Sequence, residues 1–357
     1  MFTAIIFIIV LSVLVFVHEL GHFVMAKKAG MKVEEFGFGF PPRLFGIKKG
    51  ETVYSINWIP FGGFVKIFGE DGEHRDNPRS FGAGKASTRA GVIVAGVAMN
   101  LILAIFLLII GNAIGLRVGL PDQQADLIDS TFAQAKDIKI QIIQIAGNSP
   151  AEKAGLRILD EIYNFKTVAD VQDFINNNRG REIILKIKRG NQISEKHVTP
   201  RLNPPPKEGA LGIGLAATGV VKYPWHQAIY KGFADTYYII QGVTFGYGAI
   251  IKNIFTTGKA GIELSGPVGI AVITGQAARI GFAYLIQLVA LLSVNLAVLN
   301  IIPFPALDGG RLFFIIIEKI KGSPISKKIE GAVNTVGFAL LLLLMFYVTT
   351  KDVLKFF

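Results

Sequence analysis

Long uninterrupted apolar runs dominate this chain. Four are long enough to cross a bilayer: residues 1–26, 92–116, 282–310 and 332–350. At 1.5 Å of helix rise per residue, about 20 residues span a hydrocarbon core of roughly 30 Å. Residues 27–91 show a different pattern. Met31 to Phe40 and Thr52 to Phe68 alternate apolar and polar positions or carry β-branched and aromatic runs, punctuated by Gly37, Gly39, Gly62, Gly63, Pro41, Pro42 and Pro60. This predicts a small β-sheet of hairpins. It is apolar enough to dip into a membrane, where non-helical backbone survives only if it lines a cavity.

Residues 122–215 read as a compact α/β domain. Ile138 to Ile145 and Glu182 to Arg189 are expected strands, and Val168 to Asn177 has helical periodicity. A turn at Asn148-Ser-Pro-Ala151 leads into a short helix ending at Gly155, and Arg189-Gly-Asn191 fits a hairpin turn. Residues 222–257 form an ambiguous stretch. Thr236 to Ile251 is uncharged, but Lys231, Asp235 and Lys252 bracket a run too short to span comfortably, so an interfacial amphipathic helix is expected. The expected fold is a polytopic α-helical membrane protein of about four transmembrane helices, with a membrane-associated β-sheet and one external α/β domain.

Charge orients that layout. Lys and Arg crowd the segment from Lys27 to Arg89, and Arg311, Lys319, Lys321, Lys327 and Lys328 crowd the next short connection. The positive-inside rule places both in the cytoplasm, with 122–215 and both termini outside. The same clustering accounts for the formal net charge of +11. No basic-aromatic stripe accompanies it, so nucleic acid is not an expected partner. Cysteine is absent, which excludes disulfides, thiolate metal sites and a cysteine nucleophile. A metal here must be held by His nitrogen or carboxylate oxygen. Lys27 and Lys28 follow the first apolar run and no cleavage signal closes it, so it reads as a retained helix.

His18-Glu-Leu-Gly-His22 lies inside that first run. Residues four apart share a helix face, so both imidazoles can meet one zinc ion, with Glu19 placed as general base toward the attacking water. A chance H-E-x-x-H on a soluble helix is common. In a bilayer, a charged residue at the centre costs about 2.5–3.5 kcal/mol on insertion scales, and a shared metal offsets the cost of clustering two His and a Glu there. A third ligand must come from another membrane-level polar residue. Asp308 is the candidate: Pro303 and Pro305 break the third apolar run, and Gly309 and Gly310 permit a tight turn that brings a carboxylate back. Asn300 is either an oxyanion donor or part of the helix break. Asn100, inside the second run, is expected to hydrogen-bond between helices near the site. His74, His197 and His226 read as surface or satisfied histidines.

These residues resemble the site-2 proteases, specifically the bacterial RseP-like intramembrane metalloproteases. His18-Glu-Leu-Gly-His22 matches that family's first-helix motif, and Asn300-x-x-Pro-x-Pro-x-Leu-Asp-Gly309 its second. Glu35-Phe-Gly-Phe-Gly39, Pro60-Phe-Gly-Gly-Phe-Val-Lys66 and Ser265-Gly-Pro-Val-Gly-Ile270 agree with lesser motifs, and Asn148 to Leu156 resembles a PDZ domain, often circularly permuted in the family. Val97 departs from the pattern, which has proline after the glycine. The resemblance implies zinc as cofactor, location in a bacterial inner membrane, and cleavage of transmembrane protein substrates already trimmed by another protease. The substrate must unwind to be cut. Gly62, Gly63 and Phe64 are the expected substrate-binding edge, by strand addition. The PDZ-like domain either filters substrates by size or recruits them. Two other readings are weaker. A catalytically idle adaptor or chaperone is disfavoured by the complete motif, and a zinc peptidase for aqueous substrates by the apolar flanks of the site.

Overall fold

The computed structural model describes residues 1–72, 74–120, 135–190, 192–206, 208–258, 265–323 and 325–356. Its contacts divide the chain into one unit formed by 1–109 and 230–357 and a second formed by 110–229. Asp122, the expected start of the α/β domain, and Asn191 of the expected hairpin turn lie outside the described residues.

The first unit opens with α1 (Phe2–Lys28), apolar along almost its whole length. At 27 residues it is about 40 Å long, enough for a tilted span. Strands β1 (Val33–Lys49) and β2 (Thr52–Ile67) follow and pair with each other. The register is double. Phe36 pairs with Val65 on one side and Tyr54 on the other, and Phe38 with Gly63 and Ile56. Each long strand therefore folds back, the run 36–38 is central, and the run 63–67 has a partner on one side among the described residues. Ser12 of α1 donates to the Pro60 carbonyl at 2.6 Å, pinning this sheet to the helix.

Helix α2 (Ala86–Ile114) starts ahead of the boundary expected at Val92, because Ala86-Ser-Thr-Arg-Ala90 has no helix breaker although it is polar. It runs unbroken through Val97. In the second unit the chain forms β3 (Leu116–Leu120), β4 (Ala135–Ile145), α3 (Pro150–Lys153), β5 (Glu161–Ile162), α4 (Val168–Asn177), β6 (Ile183–Arg189), β7 (Gln192–Val198) and β8 (Ile213–Val221). The strands make one sheet in the order β3-β8-β4-β5-β6-β7. Helix α4 presents Val168, Val171 and Ile175 to a core that includes Ile142, Leu185, Ile187 and Leu211. Its start is closed by a capping box between Thr167 and Asp170. The domain does not end at Leu215 as expected: β8 carries it to Val221, where hydrogen bonds to both β3 and β4 continue the sheet.

Residues 222–257 are largely one helix, α5 (Trp225–Thr257). Among the described residues it falls outside the four helices long and apolar enough to span a membrane, which are α1, α2, α7 (Phe282–Ile301) and a stretch of α9 (Lys327–Phe356). Before α7 lies α6 (Pro267–Ile280), an element the apolar pattern did not announce. Its Gly269 N–H donates to buried Asp352 of α9 at 2.6 Å, an anion at a helix start. The third membrane segment ends at Ile301, not at 310. The connection expected from Arg311 to Lys328 is mostly helical, because Asp308 opens an amphipathic helix, α8 (Asp308–Lys321).

Candidate metal centre

Helix geometry sets the first two donors. His18 and His22 are one turn apart on α1, buried, and their Nε2 atoms lie 3.2 Å from each other. The third donor arrives through a reversal of the chain. After α7 stops, Ile302 to Leu307 make a turn in which Ala306 adopts φ +72°, and α8 then begins at Asp308. Asn334 of α9 accepts a hydrogen bond from the Ala306 N–H at 3.2 Å, which holds this unfavourable conformation. Only glycine fits behind the aspartate: a Cβ on Gly309 would fall 2.1 Å from the Ile302 carbonyl oxygen, and one on Gly310 2.3 Å from that of Phe304. The result places Asp308 Oδ2 2.9 Å from His18 Nε2 and 3.3 Å from His22 Nε2.

These three distances test whether a metal fits. Zinc bonds of 2.0–2.1 Å in a tetrahedron put neighbouring ligand atoms about 3.3 Å apart. The observed triangle, 2.9, 3.2 and 3.3 Å on its edges, is the size of one tetrahedral face. Apart from the two imidazole nitrogens, buried Asp308 Oδ2 has no partner among the described residues, as expected of an atom built to face a cation. Imidazole, imidazole and carboxylate form a zinc donor set that leaves a fourth position open. His22 Nδ1 lies 2.9 Å from the Val92 carbonyl oxygen; donating its proton there turns the Nε2 lone pair toward the other ligands.

Helix α2 closes the back of the site through small residues. A Cβ on Gly21 would fall 2.3 Å from the Ala95 carbonyl oxygen, so the α1 and α2 backbones are in contact here. A Cβ on Gly96 would fall 2.5 Å from His22 Nε2 and 2.8 Å from His18 Cε1. Ion pairs hold α8 in place. Arg311, one turn past Asp308, pairs with Glu70, and Arg89 at the start of α2 reaches Glu318 at 2.7 Å. These groups line a polar cavity of about 170 Å³.

Glu19, next to His18, is partly buried. Asn300, near the end of α7, brings its Nδ2 to 3.3 Å from His18 Nε2, so its amide reaches the same centre. Gly62 packs on Val15 and Gly63 on Phe16, about one turn before His18. The structure thus gathers His18, His22, Asp308 and Asn300, and sets Gly62 and Gly63 beside the same stretch of α1. His74 stacks on Phe68, and His197 lies 3.7 Å from Glu182, both outside the cluster. The ion pairs from Glu70 and Glu318 were not anticipated. Their signal was available in the crowding of Arg near carboxylates at both ends, but sequence gives no pairing.

Comparison with known proteins adds an independent line. A family model described as peptidase family M50 matches residues 6–344. A putative zinc metalloprotease of Clostridium perfringens is 39% identical over 350 residues, covering 96% of each chain. The zinc metalloprotease RasP of Geobacillus kaustophilus is 32% identical over 438 residues, covering 98% of this chain and 97% of that one. The regulator of sigma-W protease RasP of Bacillus subtilis is 29% identical over 444 residues, covering 99% of each.

The contact at Gly96 makes a prediction about metal binding. Gly96→Ala should weaken zinc binding roughly 10–100-fold, the scale of losses around metal ligands. Gly242→Ala on α5, where a Cβ meets open space, should leave it unchanged. Equal zinc affinity for the two variants in a chelator competition would show that the imidazoles are not held as described.

Proposed function

This chain belongs to the M50, or site-2 protease, family and is a zinc metalloendopeptidase of the intramembrane type; from that premise we propose that it cleaves unwound transmembrane segments of membrane proteins after another protease has removed their external part. The observation that carries the proposal is the meeting of His18, His22 and Asp308 donor atoms within 4.8 Å of one another, with both histidines in a helix long and apolar enough to span a bilayer. A site at that depth is reached most directly by a substrate that also lies in the membrane. The sigma-W regulator in the Bacillus subtilis relative's name concerns that protein. For this chain, anti-sigma factors and signal-peptide remnants are the proposed substrate classes.

His18, His22 and Asp308 would hold the zinc. Zinc, when bound, supplies Lewis-acid polarisation and lowers the pKa of water to about 7. Glu19 takes the proton from the attacking water and passes it to the leaving amine nitrogen. Asn300 donates its Nδ2–H to the oxygen on which negative charge develops. The substrate's own helical hydrogen bonds must open first, and each unsatisfied backbone group in hydrocarbon costs several kcal/mol. Strand addition along Gly62, Gly63 and Phe64 offsets that cost and presents an extended peptide. The one-sided pairing of 63–67 and its seat on α1 support this role.

The protein is a multi-pass membrane protein. We place it in the bacterial inner membrane, with the metal centre toward the cytoplasm and a PDZ-like domain, carried by β8 to Val221, outside. That domain excludes substrates with bulky external parts. An idle adaptor role finds no support in a site whose three donors and neighbouring Glu19 are all present.

Three measurements test these assignments. Glu19→Gln should keep its zinc and cleave a transmembrane substrate about 10²–10⁴-fold more slowly; equal rates would reject the mechanism. Phe64→Pro should cut turnover while zinc content stays near normal, and unchanged turnover would remove the edge from the substrate path. Deleting Leu116 to Val221, the span of the whole sheet, should release cleavage of substrates that still carry their external domains. Loss of all cleavage by an intact, zinc-loaded variant would instead assign the domain to recruitment.

A further inference from the structure

One face of α2 serves the two histidines at positions four residues apart. The Val92 carbonyl oxygen takes His22 Nδ1 at 2.9 Å. Gly96 gives both rings room. Asn100, the next position on that face, is fully buried, and its side-chain amide lies 3.3 Å from His18 Nδ1. We propose that Asn100 is a positioning residue that accepts the His18 Nδ1–H and so turns the His18 Nε2 lone pair onto the metal. This rests on the zinc site above and adds to it the group that sets the His18 tautomer.

Chemistry requires such a group. An imidazole that gives its Nε2 lone pair to a metal carries its proton on Nδ1, and that N–H is almost always received by a carboxylate, a carbonyl or water. For His22 the acceptor is Val92. For His18, Asn100 is the side chain found at Nδ1 among the described residues. The amide has its Nδ2 toward His18, while its Oδ1 is buried without a hydrogen-bond partner among the described residues. With zinc bound, Nδ1 becomes a donor, and two donors cannot share a hydrogen bond. A half-turn of the amide plane exchanges the atoms, gives Oδ1 its partner and leaves Nδ2 in the unpartnered place. The residue is well anchored for this, because Ser293 of α7 donates to the Asn100 backbone carbonyl at 2.7 Å.

The test uses the full chain purified in detergent. Zinc affinity is measured by competition with a chromophoric chelator, and ligand geometry by the visible spectrum after cobalt substitution. Asn100→Leu keeps the branched shape with somewhat greater bulk and removes the acceptor; Asn100→Asp keeps an acceptor. We expect Asn100→Leu to lose roughly 10–100-fold in zinc affinity with an altered cobalt spectrum. We expect Asn100→Asp to stay within about threefold of wild type with a tetrahedral spectrum. Should Asn100→Leu fail to fold, Asn100→Ala carries the same comparison. Wild-type affinity without the amide, or equal losses for Asp and for the apolar variant, would overturn the proposal. A wild-type chain that binds neither metal would instead refute the zinc site itself, which keeps the two failures distinct.

Discussion

The structure depends on one constraint: two imidazoles and a carboxylate held together largely away from solvent must satisfy one another or a shared cation. The architecture around them follows. Helix α1 supplies two donors on one face. The α7–α8 reversal delivers the third, at the expense of a left-handed backbone at Ala306 and two positions closed to anything larger than glycine. Helix α2 meets α1 backbone to backbone at Gly21 so that its carbonyl at Val92 and its small residue at Gly96 can sit against the rings. The ion pairs Arg89–Glu318 and Arg311–Glu70 then keep α8, and with it Asp308, from moving away.

The meeting of His18, His22 and Asp308 was legible in the sequence because it involves residue types that a bilayer tolerates badly. His18, Glu19 and His22 stand out in an apolar run, and the Pro-x-Pro-x-Leu-Asp-Gly-Gly stretch marks a chain reversal with a carboxylate on it. The β1–β2 pair was legible from glycine and proline punctuation, and α4 from its 3.6-residue period. Other features depend on tertiary contacts that leave no such mark. Helix α6 is short and mixed in character, with Thr274, Gln276 and Arg279, and is held by packing on its neighbours and by Asp352. The polar start of α2 is fixed by Arg89 reaching Glu318, a partner 229 residues away in sequence. Helix α8 looked like a charged connection because its apolar residues are confined to one stripe.

Family membership and geometry address different questions. The match over residues 6–344 establishes the class of enzyme and its metal. Only the arrangement of side chains suggests how this chain performs the reaction: a base beside a ligand, an amide at the same centre, and a sheet edge seated one turn away on α1. The departure at Val97, where the family has proline, is absorbed without a break in α2.

Zinc-edge X-ray absorption on the full purified chain tests the central claim most directly. The account predicts one zinc per chain with first-shell scatterers of nitrogen and oxygen type at about 2.0–2.2 Å, and outer-shell scattering from two imidazoles that falls to one in His22→Ala. A single imidazole in the wild type, or a pattern unchanged in that variant, would contradict it.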